Sequence, residues 1–375
     1  MSSFAAVMTG RGTGAIATIQ ISGDSAKGIL EKIFKPPAEL KVGKIHVGTI
    51  TDSNQPIDQV TIGCEGNNTY AINCHGNPLI VERLMQLLQQ QGVELITAEQ
   101  MLCKTSTESS TIALEAKLTL PWVKTIEGTK IILNQIDSGL TSAAKKWLKN
   151  SSSKIAGEAK NILDASQIAK YLIFGCRIVL AGPPNTGKST LLNQVCGRQK
   201  AIVTDIKGTT RDWVSGDCRI GPLAVELIDT AGLDEKLADD IDKASQKAAA
   251  ELINQSNLLL LVLDNSEPAE QLTKTLADRL ADKKILTVLN KSDLPCRFKG
   301  GNLPNAINIS AKLGTGIDRL CKEIQRLIGA ENFDLSQPIC FTARQEQLLI
   351  QLSKAKLKEA ADSIITELLT GPPNV

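Results

Sequence analysis

The segment GPPNTGKST, residues 182–190, follows the apolar run RIVLA near the middle of this 375-residue chain. It fits the pattern G-x-x-x-x-G-K-[ST], which requires a strand before the loop and a helix after it. The glycines let backbone N–H groups surround a phosphate, Lys188 reaches the β- and γ-phosphates, and the Ser189 hydroxyl ligates Mg²⁺. An accidental strand-turn-helix is the alternative for this loop alone. The loop residues assigned to nucleotide binding are Gly182, Asn185, Thr186, Gly187, Lys188, Ser189 and Thr190.

Further motifs follow at the ends of later apolar runs. Asp229 ends the run VELID and opens DTAG, where its carboxylate can hold Mg²⁺ through water. The Gly232 N–H can meet the γ-phosphate. These two residues extend the predicted site from phosphate binding to metal-assisted chemistry.

The segment NKSD, residues 290–293, follows the run ILTVL and predicts the base. Asp293 offers two acceptor oxygens to the two adjacent donors on the edge of guanine, a pair that adenine lacks. The segment SAK, residues 310–312, follows one more strand and can present the Ala311 N–H to the guanine oxygen. The alternatives are that Asp293 only caps a helix and that Asp229 only forms a turn. They would require four motifs to stand in this order, each at the carboxyl end of a predicted strand, by coincidence. Base recognition is assigned to Asn290, Lys291, Asp293, Ser310, Ala311 and Lys312, which predicts GTP and GDP as ligands.

The pattern of apolar residues predicts a multi-domain chain. Residues 1–116 alternate strand-like runs with two helical segments, which is an α+β pattern. Residues 175–330 alternate buried strands with helices, which predicts an α/β P-loop domain of the Ras-like type, or G domain. A polar helical pattern occupies residues 117–174, where KNSSSK predicts a break between two helices. The pattern returns in residues 331–375, with a last helix expected over about residues 342–369. We therefore expect one discontinuous helical domain into which the G domain is inserted.

Composition limits the setting of the protein. With 42 basic and 40 acidic residues the formal net charge is +2, so any contact with RNA must be local. The nine cysteines are spread without a C-x-x-C pair, which argues against a disulfide framework or a zinc ribbon. The N-terminal sequence lacks the order of a signal peptide, and no apolar run is long enough to span a bilayer. We expect a cytoplasmic protein that does not enter the membrane.

Several segments resemble one known family. GPPNTGKSTLLN, AIVTDIKGTTRDWV, DTAGLDE, NKSD and SAK are similar to the G domain of the tRNA-modification GTPases of the MnmE or TrmE family, whose nearest relatives are the Era-like GTPases. GTGAIATIQISGDSA, HVGTITDSNQPIDQVTI and INCHGNP are similar to the N-terminal domain of that family. The resemblance covers most of the chain and is most specific in the G domain.

The resemblance implies how hydrolysis is assisted. Leu233 follows DTAG where Ras-type switches carry a glutamine that positions water. In the resembled family a K⁺ ion, held by the asparagine that matches Asn185, supplies positive charge when two G domains pair. Thr209 and Thr210 match the switch threonines, with Thr210 as the Mg²⁺ ligand. Asp242 is the best match to a glutamate that orients water, and a solvated acid at a helix start is the equal alternative.

The resemblance also implies partners and a reaction. The family modifies the tRNA wobble uridine together with a flavin-dependent partner protein, and it dimerises through the N-terminal domain. Its N-terminal domain binds formyl-tetrahydrofolate, but here Gln20 replaces an arginine and Asn67 stands in place of an acidic residue. The chain also stops without the Cys-containing ending of the family. A regulatory or assembly GTPase without one-carbon chemistry, and a non-catalytic nucleotide-binding scaffold, remain the alternatives.

Overall fold

The structure is a computed structural model that describes residues 3–10, 12–37, 39–66, 68–108, 110–198, 214–229, 251–269, 284–299, 303 and 306–373. The chain divides into two units. The first comprises Met1–Ser109 with Pro373–Val375, and the second comprises Ser110–Pro372. None of the helices within these described ranges combines the length and apolarity that crossing a bilayer requires.

The first unit is built on a seven-stranded sheet. Its strands lie in the order β3-β4-β5-β6-β2-β1-β7, and all neighbouring pairs are antiparallel except β1 and β7. The elements of this unit are β1 (Phe4–Val7), β2 (Ile16–Ser22), α1 (Ala26–Ile33), β3 (Phe34–Lys35), β4 (Ile45–Asp52), β5 (Gln55–Gly66), β6 (Thr69–His75), α2 (Pro78–Gln90), β7 (Glu94–Leu95) and α3 (Ala98–Thr105).

Local sequence explains these elements. Successive strand residues point to opposite faces, and Ile19 and Ile21 of β2 are fully buried together with Ile72 of β6. Helix α2 begins at Pro78, where the missing N–H is tolerated, and the Asn77 side chain accepts a hydrogen bond from the Leu79 N–H. Apolar alternation and helix capping together account for this α+β unit.

The second unit combines helices with a six-stranded sheet. Its elements in chain order are α4 (Thr111–Thr119), a 3₁₀ turn (Leu120–Trp122), α5 (Ile126–Asp137), α6 (Gly139–Trp147), α7 (Ser152–Phe174), β8 (Cys176–Ala181), α8 (Lys188–Arg198), β9 (Val214–Ile220), β10 (Leu223–Asp229), β11 (Leu258–Asp264), β12 (Ile285–Asn290), β13 (Ile307–Asn308), α9 (Ile317–Ile328), α10 (Ala343–Lys354) and α11 (Lys358–Thr370). Residues 251–255 are also helical.

The six-stranded sheet positions the site. Its order is β13-β12-β11-β8-β10-β9, and only the edge strand β9 runs antiparallel to its neighbour. All seven residues of β11 are buried, as expected for a strand covered on both faces. Because the other five strands are parallel, their carboxyl ends lie along one edge of the sheet.

The helices before and after the sheet meet in the second unit. Helix α10 packs against α7, and Lys170 Nζ lies 2.8 Å from the Glu346 carboxylate. The buried Arg344 Nε donates to Glu115 Oε1 of α4 at 2.7 Å, and Gln345 Nε2 donates to the other oxygen of Glu115 at 2.7 Å. Buried charges need such partners to offset the loss of water. Segments about 230 residues apart in sequence thus share one polar network.

The structure confirms most predicted elements and corrects three. Residues 1–116 contain α3 and most of α4 in addition to the two helical segments expected there. The strand runs RIVLA, AVELID, LLLLVLD, KILTVLN and NAINIS all contain strands, and KNSSSK separates α6 from α7. The single helix expected over residues 342–369 is wrong, because Ala355 is extended, with φ −70° and ψ 120°, and separates α10 from α11. Strand β9 was not among the predicted strands. The division into residues 1–116, 117–174 with 331–375, and 175–330 stays a prediction.

Candidate nucleotide-binding site

The loop between β8 and α8 needs its glycines at two positions. Gly182 has φ 140°, and a Cβ there would lie 2.1 Å from the Val262 carbonyl oxygen. Gly187 has φ 91°, and a Cβ there would lie 2.4 Å from Asn290 Nδ2. Both conformations are accessible to glycine and costly for other residues. The loop can therefore turn tightly against β11 and against the end of β12.

Lys188 is the first residue of α8 and is almost fully buried, with 3% of its surface exposed. Its Nζ donates to the carbonyl oxygens of Gly182 at 2.6 Å and Pro183 at 2.9 Å. A buried ammonium group needs acceptors of this kind. The contacts hold the lysine charge on the inside of the loop, where the helix N-terminus also favours an anion.

Ser189 and Asp229 meet at the ends of α8 and β10. The Ser189 hydroxyl donates to Asp229 Oδ2, and Asp229 is only 2% exposed. A hydroxyl and a carboxylate are hard oxygen donors of the type that Mg²⁺ prefers. The donor set therefore fits Mg²⁺, with Ser189 and Asp229 as the residues that would hold it.

Asn290 connects three loops of the site. It ends β12 and is 2% exposed. Its Nδ2 donates to the Thr186 carbonyl oxygen at 2.8 Å, and its Oδ1 accepts from the Ala311 N–H at 2.9 Å. The phosphate loop, NKSD and SAK are thus joined through one side chain. Because the Ala311 N–H is engaged by Asn290, its predicted contact with guanine stays a prediction.

Asp293 lies beside the SAK segment. Its carboxylate accepts a hydrogen bond from Ser310 Oγ at 2.6 Å, and this bond is the main cause that lowers the pKa of Asp293 below its usual value. The carboxylate is exposed to solvent and so remains accessible to a ligand. An ionised carboxylate with free lone pairs can accept from both adjacent donors of guanine. The position and charge of Asp293 agree with its predicted role.

Asp264 was not predicted as a site residue. It ends β11, is 6% exposed, and lies 2.5 Å from Lys291 Nζ. Burial raises the pKa of Asp264, but hydrogen bonds from Lys291 and Ser266 outweigh that effect and lower it overall. An acid at the end of an apolar run was the signal that identified Asp229, and the same signal was available for Asp264.

A cavity of about 410 Å³ lies between the phosphate loop and the NKSD segment. The loop contributes Pro183, Pro184, Asn185 and Thr186, and the other walls come from Asp264, Glu267, Pro268 and Lys291. Asn185 has φ 60°, in the left-handed region that asparagine tolerates better than most residues. The cavity thus gathers loop backbone, an amide and a salt bridge at one edge of the sheet.

Several predicted residues lie outside the described part of the chain. They are Asn67, Thr209, Thr210, Gly232, Leu233 and Asp242. Gln20, the residue that replaces an arginine in the resembled family, lies in β2, where its Nε2 donates to Glu65 Oε2 at 2.5 Å. Its Oε1 is buried and has no hydrogen-bond partner among the described residues.

The comparison with protein families agrees with this geometry. Residues 177–291 match the family model for a 50S ribosome-binding GTPase, and residues 3–100 match the model for the N-terminus of the GTP-binding protein TrmE. The fold and the site therefore define a P-loop GTPase that carries a TrmE-type N-terminal domain.

Individual relatives extend the match over nearly the whole chain. The tRNA modification GTPase MnmE of Lacticaseibacillus paracasei is 28% identical over 419 residues, which cover 98% of this chain and 89% of the relative. MnmE of Aquifex aeolicus is 26% identical, and the match covers 92% of this chain and 86% of the relative. The G domain of the T. maritima FeoB iron transporter is 21% identical, with a TM-score of 0.30, and covers 40% of this chain and 98% of its own. The chain is therefore similar to MnmE proteins over nearly its whole length, and its N-terminal part matches the TrmE family model.

Proposed function

We propose that this protein hydrolyses GTP with the help of Mg²⁺ and K⁺, and that hydrolysis drives modification of the tRNA wobble uridine. The observation that carries the GTP site is the meeting of Lys188, the Ser189–Asp229 pair and Asp293 at one edge of the sheet. The tRNA role is supported by the similarity to MnmE proteins, which are named as tRNA modification GTPases.

Different residues bind the phosphates and the base of the nucleotide. Lys188 neutralises phosphate charge, and Asn290 holds the phosphate loop against the base-binding segments at 2.8 Å and 2.9 Å. Asp293 selects guanine by accepting from its two donors. Ser189 would ligate Mg²⁺ directly and Asp229 through water, and the ion would neutralise charge at the transferred phosphoryl group.

The remaining roles rest on the resemblance. Asn185 contributes to the K⁺ site, and Thr210 ligates Mg²⁺ beside Thr209. Gly232 donates its N–H to the γ-phosphate, and Asp242 orients the attacking water. The cytoplasmic protein forms a homodimer through its N-terminal domain, pairs its G domains transiently, and acts on tRNA with a flavin-dependent partner. Formyl-tetrahydrofolate binding is tested by titration of that compound into the purified protein.

Hydrolysis is tested by measuring phosphate release from GTP in KCl and in NaCl at equal ionic strength. We expect faster turnover in KCl, because K⁺ supplies the positive charge at the phosphates that an arginine finger provides in other GTPases. Asp242→Ala should lower kcat, and retained hydrolysis would remove Asp242 from the catalytic residues. Absence of turnover in both salts would favour a non-catalytic nucleotide-binding scaffold.

The tRNA role is tested by nucleoside analysis of tRNA from a strain that lacks this protein. We expect wobble uridines that have lost their modification, and the loss should be reversed by the wild-type chain. A Lys188→Ala chain, which should not bind GTP, is expected not to reverse it. Unchanged wobble uridines would refute the modification role and leave a regulatory or assembly GTPase.

A further inference from the structure

A second cavity, of about 750 Å³, lies in the helical part of the second unit, away from the nucleotide site. Its walls come from α6 along its length, from Gly139 to Lys146, from the start of α7 and from the segment that leads into α10. Lys146, Lys149 and Lys154 line it together with Ser138, Ser142 and Asn150. We call this the basic cavity.

The lysines of the basic cavity are only partly neutralised. Lys146 and Lys149 are exposed, and neither forms an ion pair with another described residue. Lys154 Nζ is 4.0 Å from Glu158 Oε1, at the limit of an ion pair. The other oxygen of Glu158 accepts a hydrogen bond from Trp147 Nε1 at 2.6 Å. One acid therefore faces three lysines, and the cavity carries a net positive charge.

The backbone adds to this positive potential. Helix α7 has 23 residues and begins at the cavity, and its N-cap Ser151 makes no side-chain capping hydrogen bond. The first N–H groups of a helix have no partner within the helix, and the N-terminus carries partial positive charge. The lysines and the helix start therefore act in the same direction on an anion.

The lining favours a phosphate-sugar backbone over a membrane surface. The lining consists of three lysines, three serines, one glutamate, Asn150, Pro338 and two small residues, with no large apolar side chain that could enter a bilayer. Hydroxyls and amides bond to sugar and phosphate oxygens, as in many nucleic-acid contacts. The whole chain has a net charge of only +2, so the positive field is confined to local patches such as this one.

We propose that the basic cavity binds backbone phosphates of an RNA, with Lys146, Lys149 and Lys154 as the contacting residues. The proposal rests on the proposed function, because it assigns a docking site to the RNA on which that function acts. It places RNA binding in the helical part of the chain, separate from the nucleotide-binding residues of the sheet.

The test is the affinity of the full chain for an unmodified tRNA transcript, measured by fluorescence anisotropy at several salt concentrations. Lys146→Glu/Lys149→Glu should weaken binding about tenfold or more, because two phosphate contacts become repulsive. The slope of log K against log salt should fall by about two, one for each lost contact. Lys146→Gln/Lys149→Gln should show the same slope change with a smaller loss of affinity.

The control is Lys44→Glu/Lys322→Glu, which makes the same charge change at two exposed lysines outside the cavity. It should bind tRNA almost as the wild type does. All variants should keep the wild-type rate of GTP hydrolysis and thermal unfolding midpoint, because the exchanged side chains are exposed. Equal loss in the control, or unchanged affinity in the cavity variants, would overturn the proposal.

Two further results separate this site from its alternatives. Binding of the wild type to phosphatidylserine vesicles but not to tRNA, lost in the cavity variants, would overturn the RNA assignment. Unchanged wobble uridines in the deletion strain, combined with weakened tRNA binding by the cavity variants, would refute the modification role and support the site. Failure of the proposed function and failure of this inference are thus distinguishable.

Discussion

The two sheets of this protein differ in how they can gather functional groups. In the second unit, five parallel strands end at one edge, and Asp229, Asp264 and Asn290 each occupy the last position of a strand. In the first unit the strands are mainly antiparallel, so consecutive strands end at opposite edges. Strand ends that are distant in sequence can therefore form one site in the second unit. In the sheet of the first unit the carboxyl ends of the strands do not lie along one edge.

The two sheets also differ in which side chains they bury, so substitutions should have different effects in the two units. Buried polar residues at the parallel edge bond to each other across loops, as Asn290 does with Thr186 and Ala311. The buried face of the antiparallel sheet is dominated by aliphatic side chains such as Ile19, Ile62 and Ile72. Substitutions at the parallel edge of the second unit should therefore change ligand binding. Substitutions on the buried face of the antiparallel sheet in the first unit should change stability.

Lys188→Ala should have the largest effect. Loss of the charge-assisted contacts to the β- and γ-phosphates should weaken binding of a non-hydrolysable GTP analogue about a thousandfold, or about 4 kcal/mol. Lys284→Ala, at an exposed lysine just before β12, is the matched control and should bind normally. Isothermal titration calorimetry measures both, and near-wild-type affinity in Lys188→Ala would show that the parallel edge does not hold the phosphates.

Ile72→Ala tests whether a substitution in the antiparallel sheet of the first unit changes stability and not ligand binding. Ile72 is fully buried in the central strand of the antiparallel sheet, so the cavity left behind should lower the free energy of unfolding of the first unit by about 3 kcal/mol. Val47→Ala, at a position 63% exposed on β4, should change it by less than about 0.5 kcal/mol. Hydrogen exchange gives the unfolding free energies. A large loss of GDP affinity in Ile72→Ala would contradict the separation of roles.

Asp293→Asn sharpens the assignment of the base-binding end. The amide keeps one acceptor and gains a donor, so GDP affinity should fall about thirtyfold, or about 2 kcal/mol, and xanthosine diphosphate should bind better. Asp334→Asn is a matched control, because Asp334 is also exposed and accepts from Ser336 Oγ at 2.6 Å. GDP binding as tight as in the wild type would refute guanine recognition by Asp293.

The smallest expected effect concerns pH. The hydrogen bond from Ser310 lowers the pKa of Asp293 below 3.8, so the carboxylate stays ionised in the wild type as the pH falls toward that value. Ser310→Ala removes the donor, which raises the pKa and lets the proton compete with guanine at higher pH. The acid limb of a plot of GDP affinity against pH should therefore move upward in Ser310→Ala. A shift in the opposite direction would contradict the role of this hydrogen bond.

Much of the site could be predicted because its residues act through fixed spacing. The phosphate loop needs glycine, lysine and hydroxyl residues in order, and each later motif follows a buried strand. The bridging contacts of Asn290 could not be predicted, since they depend on loops more than 100 residues apart in sequence. Asp264 is also an acid at the end of a strand, but it lies outside the phosphate loop, DTAG, NKSD and SAK, so no motif indicated it.

The missed elements have physical reasons as well. Strand β9, VSGDCRI, contains glycine and aspartate, which disfavour strands, and it forms through its pairing with β10. The interruption between α10 and α11 covers residues 355–357. Alanine, lysine and leucine all favour helices, so local propensity gave no indication of it. In both places tertiary contacts override local preference.

The most direct test of the account is the affinity of the wild-type chain for GDP and for ADP, each with Mg²⁺, measured by isothermal titration calorimetry. The central claim is that the parallel edge forms a guanine-specific nucleotide site through Lys188, Ser189, Asp229 and Asp293. The account predicts that GDP binds at least about a hundredfold more tightly than ADP, because adenine lacks the donor pair that Asp293 recognises. Equal affinities for the two nucleotides, or no binding of either, would contradict it.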